Sequence, residues 1–438
     1  MNKDLAVYLL EKAQKKGADD VVVQVVKSKK SQSKFANSKI SAVKTWDSSD
    51  IVLFLAKDKK VLMTSLKKFT KSDAIALLDR SFNFLKKIQP STSYRGLAKG
   101  PFSYSKHEEY DQSIEGMNGN DIVKEGIDIC KENKVRRTAG VFEDTVGENY
   151  LLTSNNVEAY ERGTSVYYSV RALADKNSSG HTVAVSRNLN KLGFRDVAKR
   201  ACDIAKQSLG AKKRVSGKFD VIFEPLAWAN VLNTVGESAS IFSVEAGLSF
   251  LEGKEGKEVG NDNVTLMDDA TMKNSFGYSI FDSEGVPTQN NLLIDKGILK
   301  GFLHNTSSAE RYNVKTTANA GLISPDPHAL MMKEGKYSKD KMFAGIKNGI
   351  WITNVWYTRF QNYSTGDFST IPRDGIFLIE NGKIVRPLKE IRITDNVLQL
   401  LKNVTQVGKD QEQIYSWESG IPTFTPPVIV KDVNITTH

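Results

Sequence analysis

Apolar residues recur along this chain with two periods, and the changes of period mark its elements. Leu5, Leu9 and Ala13 fall on one face of an amphipathic helix over residues 3–17, as a 3.6-residue repeat requires. The strand DDVVVQVVKSK follows, and SKFANSKISAVKTW and DIVLFLAKDKKVLMTSL alternate in the manner of hairpins. A helix from Lys71 to about Lys87 sets Ala74, Leu77, Leu78, Phe82 and Leu85 toward a core. After a loop rich in Ser, Gly, Pro and Tyr (89–118), a helix spans Asp121–Asn133. The strands RRTAGVFEDTV, ENYLLTSN, VEAYERGTSVYYSVRAL and GHTVAVSRN come next, then a helix from about Arg195 to Leu209. The likeness of NSKISAV (37–43) to SNNVEAY (154–160) points to two copies of one helix-sheet-helix unit, about 1–90 and 119–210.

The basic, glycine-containing segment GAKKRVSGK (210–218) predicts a boundary between an N-terminal domain, 1–212, and a β-rich C-terminal domain, 213–438. The fold class expected is therefore α+β. Beyond the boundary, FDVIFE reads as a buried strand and Pro225 opens the helix LAWANVLNTVGESASIFSV. Hairpins turn at Asp295-Lys296-Gly297 and Asn381-Gly382, where the backbone must accept positive φ. A short helix, Asn396–Asn403, precedes a last strand, TPPVIVKDV. In NVWYTRFQNYSTGDFS (354–369) the period of two sets Trp356 and Phe360 on one face of a strand.

Composition narrows the function classes. A chain of 438 residues suggests two or three domains. No apolar run approaches the roughly 18–20 residues that cross a membrane, and acids and lysines interrupt the first apolar stretch where a secretory signal would not. A cytoplasmic protein is expected. Cys130 and Cys202 both fall on amphipathic helices and offer neither a disulfide framework nor a zinc knuckle. The net charge is +10, but the lysines are scattered among acids, which disfavours a nucleic-acid stripe.

Candidate chemistry is sparse. Gly253, Gly256 and Gly260 lie in a loop too acidic to cradle phosphate, and Gly236-Glu237-Ser238 lacks the second glycine of a nucleophile elbow. The histidines His107, His181, His304, His328 and His438 stand apart, with no pair at helical spacing for zinc. His304, after Gly301-Phe302-Leu303, has a setting that could line a site. Trp356, Arg359, Phe360 and Tyr363 suit a recognition surface, since aromatic and guanidinium groups give large contact area and planar hydrogen bonding. They are equally the residues of a core or a strand edge.

The second half is familiar as a pattern. FDSEGVPTQNNLLIDKGILKGFLHNTSSAERYN (281–313) resembles a TldD/PmbA (TldE) family segment, an acidic-Gly-x-Pro-Thr turn, a hairpin and a GFLHxxxSA string. STGDFSTIPRDGIFLIENGKIVRPLKEIRITDNVLQLLKNV (364–404) is similar to the family's C-terminal signature. The likeness extends over essentially the whole chain. In the catalytic kind of member, an H-E-x-x-x-H helix and a later cysteine bind zinc, and the glutamate acts as general base on the bound water. Laid on WANVLNTVGESAS, that pattern puts Thr234 and Ala239 at the histidines and Val235 at the glutamate. No histidine occurs between His181 and His304 and no cysteine after Cys202, so shifting the alignment restores nothing.

The resemblance thus implies the TldE/PmbA-like kind, a non-catalytic subunit of a heterodimeric peptidase that acts on unfolded or modified peptides. No cofactor is expected in this chain, and zinc is expected in a TldD-like partner; whether a homodimer forms in isolation stays open. In that setting Trp356, Arg359, Phe360 and Tyr363 would grip extended peptide, Arg359 pairing with a carboxylate, or mark the subunit contact. Two rivals remain. One is a peptidase with a non-standard site at His304 with Asp282 and Glu284; the other is a basic protein that holds peptide or nucleic acid without cutting.

Overall fold

The computed structural model describes residues 3–211 and 215–437, so the boundary expected at 212/213 and His438 lie outside the described residues. The first half runs α1 (Lys3–Lys15), β1 (Asp20–Ala36), β2 (Lys39–Lys57), β3 (Lys60–Lys67) and α2 (Lys71–Leu85). The same order follows in α3 (Gly119–Glu132), β4 (Arg137–Thr153), β5 (Val157–Leu173), β6 (Ser179–Ser186) and α4 (Phe194–Gln207). All six strands form one antiparallel sheet in the order β3-β2-β1-β4-β5-β6, and the two units meet along β1 and β4 from Val22↔Thr153 to Phe35↔Gly140. The two similar heptapeptides occupy corresponding hairpin turns: Asn37 and Ser38 have φ of 50° and 59°, and Asn156 has 61°.

Alternation decides the layers. Val21, Val23, Val25, Ile51, Leu53 and Leu55 pack under α1 and α2, while Phe142, Val166, Tyr168 and Val170 pack under α3 and α4. Helix α2 is started by a capping box in which Thr70 and Asp73 satisfy each other's backbone N–H. Two expected breaks are absent, and the first lies in β2, which runs from KISAVKTW into DIVLFLAK as one strand. RRTAGVFEDTV and ENYLLTSN are a single strand, β4, because Gly147 continues the ladder between Ser28 and Gly163 instead of breaking it.

The second half opens with β7 (Gly217–Phe223), α5 (Pro225–Ser238) and α6 (Ile241–Glu245). Then come β8 (Leu266–Asp269), β9 (Asn290–Asp295), β10 (Ile298–Leu299), α7 (Thr306–Tyr312), β11 (Leu330–Met332) and α8 (Lys339–Ala344). β12 (Asn348–Asn362), β13 (Asp367–Glu380), β14 (Lys383–Pro387), β15 (Ile391–Asn396) and α9 (Val397–Lys402) follow. β16 (Val404–Val407), β17 (Glu412–Ser416), β18 (Ser419–Thr425) and β19 (Val428–Thr437) complete the chain. Both expected hairpin turns form, with positive φ at Lys296, Gly297, Asn381 and Gly382.

Pairing closes part of this half on itself. The order β12-β7-β19-β15-β13 returns to β12 through the β12–β13 ladder, which makes a small β-barrel and leaves those strands no common edge. A second sheet is ordered β10-β9-β8-β11-β18-β17. Helix α5 joins the two: Trp228, Val231, Leu232 and Val235 share one core with Phe223, Ile350 and Leu378 of the barrel and Leu266 and Leu330 of the sheet. Among the described residues no helix is long and apolar enough to cross a membrane.

Candidate functional site

Where the N-terminal sheet meets the barrel, a cavity of about 510 Å³ opens. One wall is the sheet face opposite the helices, with Tyr167, Ser169 and Arg171 of β5 and His181 of β6. The other is the end of β12, with Asn354 and Trp356, together with Tyr415 and Trp417 around the β17–β18 turn. Trp417 is 90% exposed at the mouth, a large apolar side chain with nothing over it.

A buried carboxylate organises this cleft. Asp374, on β13, accepts hydrogen bonds from Arg171 Nη2 at 2.8 Å, Ser179 Oγ at 2.6 Å and Asn354 Nδ2 at 3.3 Å. It is 8% exposed and sits at φ +57°, a backbone state unusual for a non-glycine residue. Burial pushes its pKa up, but the Arg171 guanidinium and the Ser179 hydroxyl outweigh burial and hold the carboxyl below its ordinary value. Arg171 and Asp374 thus tie the two halves of the chain by an ion pair.

His181 belongs to the same network. Its Nδ1 lies 3.2 Å from Asn354 Nδ2 and its Nε2 2.9 Å from Ser169 Oγ. Because the Asn354 amide nitrogen also faces the Asp374 carboxylate, it is the donor, Nδ1 is the acceptor, and the ring proton resides on Nε2. A histidine in that tautomer donates to Ser169 and cannot take its proton, so Ser-His-Asn here is a structural chain and not a nucleophile-base pair. Burial lowers the His181 pKa to about 4, which keeps the ring neutral.

Of the four residues singled out in 354–369, Trp356 alone reaches this cavity. Two guanidiniums lie near its indole, Arg171 at 5.1 Å and Arg373 at 4.4 Å from the ring centroid, and the Tyr357 ring stacks on it at 5.2 Å. Phe360 does not share its face. The register moves from Trp356↔Ile371 to Arg359↔Ser369 across a bulge, with Tyr357 at φ +58° as the extra residue, and the alternation inverts beyond it. Phe360 therefore turns to Phe250 (6.4 Å) and stacks with Tyr363 (4.8 Å). Arg359 lies over Tyr357 and donates to the Thr358 carbonyl at 2.8 Å. Arg359 and Tyr363 are both exposed.

His304 sits elsewhere, beside a cavity of about 530 Å³ lined also by Lys300 and Tyr312. Its Nδ1 is 3.2 Å from Ser308 Oγ, and burial takes its pKa to about 4. Ser308 is itself committed to the capping box that starts α7, exchanging hydrogen bonds with Asn305. Asp282 makes a turn: its oxygens accept from the backbone N–H of Glu284, Val286 and Ala320, each at 2.9 Å. Burial, then the neighbouring Asp282, raise the Glu284 pKa to about 8. No hydrogen bond links His304 to either carboxylate among the described residues, so the three do not assemble as an acid-base set.

On α5 the donor set does not fit zinc. Thr234 spends its hydroxyl on the Val231 carbonyl at 2.7 Å, and Val235 and Ala239 are fully buried. Among the described residues no three His, Cys, Asp or Glu side chains converge as metal ligands. The cleft residues Arg171, His181 and Asp374 carry no local motif. The one sign in the sequence is Asp374-Gly375 inside a strand pattern, which marks a bulge or turn.

A duplicated helix-sheet-helix half joined to a β-rich domain with a small barrel is the fold of TldD/PmbA-type proteins. TldE from Thermococcus kodakarensis superposes with a TM-score of 0.89 over 99% of this chain and all of that one, at 21% identity, a likeness of fold alone. Residues 216–437 match the PmbA/TldA metallopeptidase C-terminal domain and residues 103–209 its central domain. The chain belongs to the PmbA/TldD metallopeptidase family. A metalloprotease of Methanothermobacter thermautotrophicus is 30% identical over 230 residues, 51% of this chain and 50% of that protein. A metalloprotease of Methanocaldococcus jannaschii is 27% identical over 298 residues, 64% of each chain. The matched stretches thus span half to about two thirds of those relatives.

Proposed function

We propose that this chain is the non-catalytic, TldE/PmbA-like subunit of a heterodimeric metallopeptidase, closing a chamber in which a zinc-bearing partner cleaves unfolded or modified peptides. The observation that carries the proposal is the chemistry of α5. Laid on this segment, the family's H-E-x-x-x-H pattern falls on Thr234, whose hydroxyl bonds its own helix, and on the buried Val235 and Ala239. None of the three can ligate zinc or move a proton.

The interdomain cleft supplies a binding role. Trp356, Tyr167, Tyr415 and Trp417 offer flat aromatic faces, and Arg171 and Arg373 lie beside Trp356 with guanidinium groups that donate to carboxylate or backbone carbonyl partners. An extended, unfolded segment presents a backbone carbonyl at every residue. In the test, the purified chain binds no stoichiometric zinc and leaves an unfolded peptide intact, whereas the complex with its metal-bearing partner cleaves it and is stopped by a chelator. Cleavage by the chain alone would end the proposal.

A further inference from the structure

The duplication leaves its two hairpins unequally covered. β2 pairs with β3 only from Asp50 to Lys57, and β5 pairs with β6 only from Val166 to Leu173. Each unit therefore leaves part of a strand without a second neighbour in the sheet near its hairpin turn, residues 39–48 in the first, where the Lys68 N–H already takes the Ser49 carbonyl, and 157–165 in the second.

In the second unit the chain covers that edge itself. The Thr164 N–H donates to the Glu109 carbonyl at 3.0 Å, and the Asp111 N–H donates to Thr164 Oγ1 at 2.9 Å. Arg162 pairs with Glu108 at 2.8 Å and lies 4.3 Å from the Tyr110 ring centroid. The cover is a stretch of acidic and aromatic residues, His107 to Asp111, that meets the strand through its one cation, Arg162.

In the first unit nothing comparable is present. From Lys39 to Asp50 no residue is buried, and Val43 and Trp46 are 55% and 43% exposed. Outside the β1 ladder, no backbone group of residues 41–48 finds a backbone partner among the described residues. Lys39 and Lys44 project from this strand, and the exposed Lys34 stands beside it on β1, against one acid, Asp47, which faces Lys29 across the ladder; none of Lys34, Lys39 and Lys44 has an ion-pair partner among the described residues. A long, flat edge bearing valine and tryptophan is a template for another strand, and proteins that leave one open ordinarily protect it.

We propose that the β2 edge over residues 41–48 docks an extended acidic segment of another polypeptide, added as a further strand of the N-terminal sheet. Main-chain bonds to 41–48 hold the segment, Lys39 and Lys44 take its carboxylates, and Val43 and Trp46 take its apolar or aromatic positions. The second unit supplies the precedent, since its own acidic and aromatic stretch lies on the corresponding edge. The proposal is independent of the peptidase reading.

The probe is the synthetic peptide SKHEEYD, the sequence of residues 105–111, added to the full chain while amide hydrogen exchange is followed by mass spectrometry. Exchange is expected to slow over 41–48. Lys44→Glu, at an exposed and unpaired side chain, is expected to weaken binding about tenfold or more without moving Tm. Trp46→Ala is expected to weaken it as well. No protection at 41–48, protection at 157–165 in its place, or equal protection by a peptide with lysine for both glutamates would overturn the proposal. Protection that grows with protein concentration without peptide, together with a doubled mass, would overturn it in favour of a second copy of the chain.

Discussion

Helix α5 and the interdomain cleft spend their polar groups in opposite ways. On α5 they face inward and serve the fold: Asn233 donates to Thr423 Oγ1 at 2.8 Å and accepts from the Ile421 N–H at 2.8 Å, pinning β18 to the helix. Nothing polar remains on Val235 or Ala239 to act on a substrate. In the cleft, Arg171 is tied to Asp374 by one nitrogen and still lines the cavity with Trp356. The difference teaches that one chain can commit the polar groups of a helix to its core and leave those of a cleft open, because a buried helix gains stability from apolar positions and a cleft does not.

The comparison can be broken hardest at α5. Val235→Asp would place a carboxylate in a dry core and is expected to cost at least about 4 kcal/mol, read as a collapse of the urea midpoint. In the cleft, Arg171→Ala strands the Asp374 carboxylate. Since the arginine side chain is 29% exposed, the loss should lie below that of a fully buried pair, about 2 kcal/mol. Glu284 gives a smaller, pH-dependent effect. Its folded pKa of about 8 lies above the unfolded value, so its contribution is complete below pH 4.5 and lost as pH rises through 8. Glu284→Gln should therefore gain on the order of 1 kcal/mol relative to wild type at pH 9 and nothing at pH 4, measured by thermal unfolding at both pH values. Trp356→Ala should change stability least, by about 1 kcal/mol, yet weaken binding of an extended peptide roughly tenfold by titration.

Much of this fold is legible in the pattern of apolar residues. Helices α1 to α4 fall within about two residues of their expected bounds, and both turns called by Gly297 and Asn381-Gly382 form. Period and turn chemistry are local, and they survive folding wherever one face is buried. The short helices α7 and α8, of 7 and 6 residues, span too few turns to declare a period. The placing of Phe360 beside Trp356 fails at Tyr357, because a one-residue bulge inverts the side chains that follow it, Phe360 among them, without a glycine to announce it. The cleft was hidden for a different reason. Arg171 and Asp374 are 203 residues apart, and only the docking of one sheet on another brings them to 2.8 Å.

The central claim is that this chain lacks the chemistry of its family and supplies a surface to a partner that has it. The direct test is a gentle affinity capture of the chain from its native host, with the recovered material assayed on an unfolded peptide with and without chelator. The account predicts a co-purifying chain of similar size that carries H-E-x-x-x-H, and chelator-sensitive cleavage only when both are present. Recovery of the chain alone with full cleavage activity would contradict it.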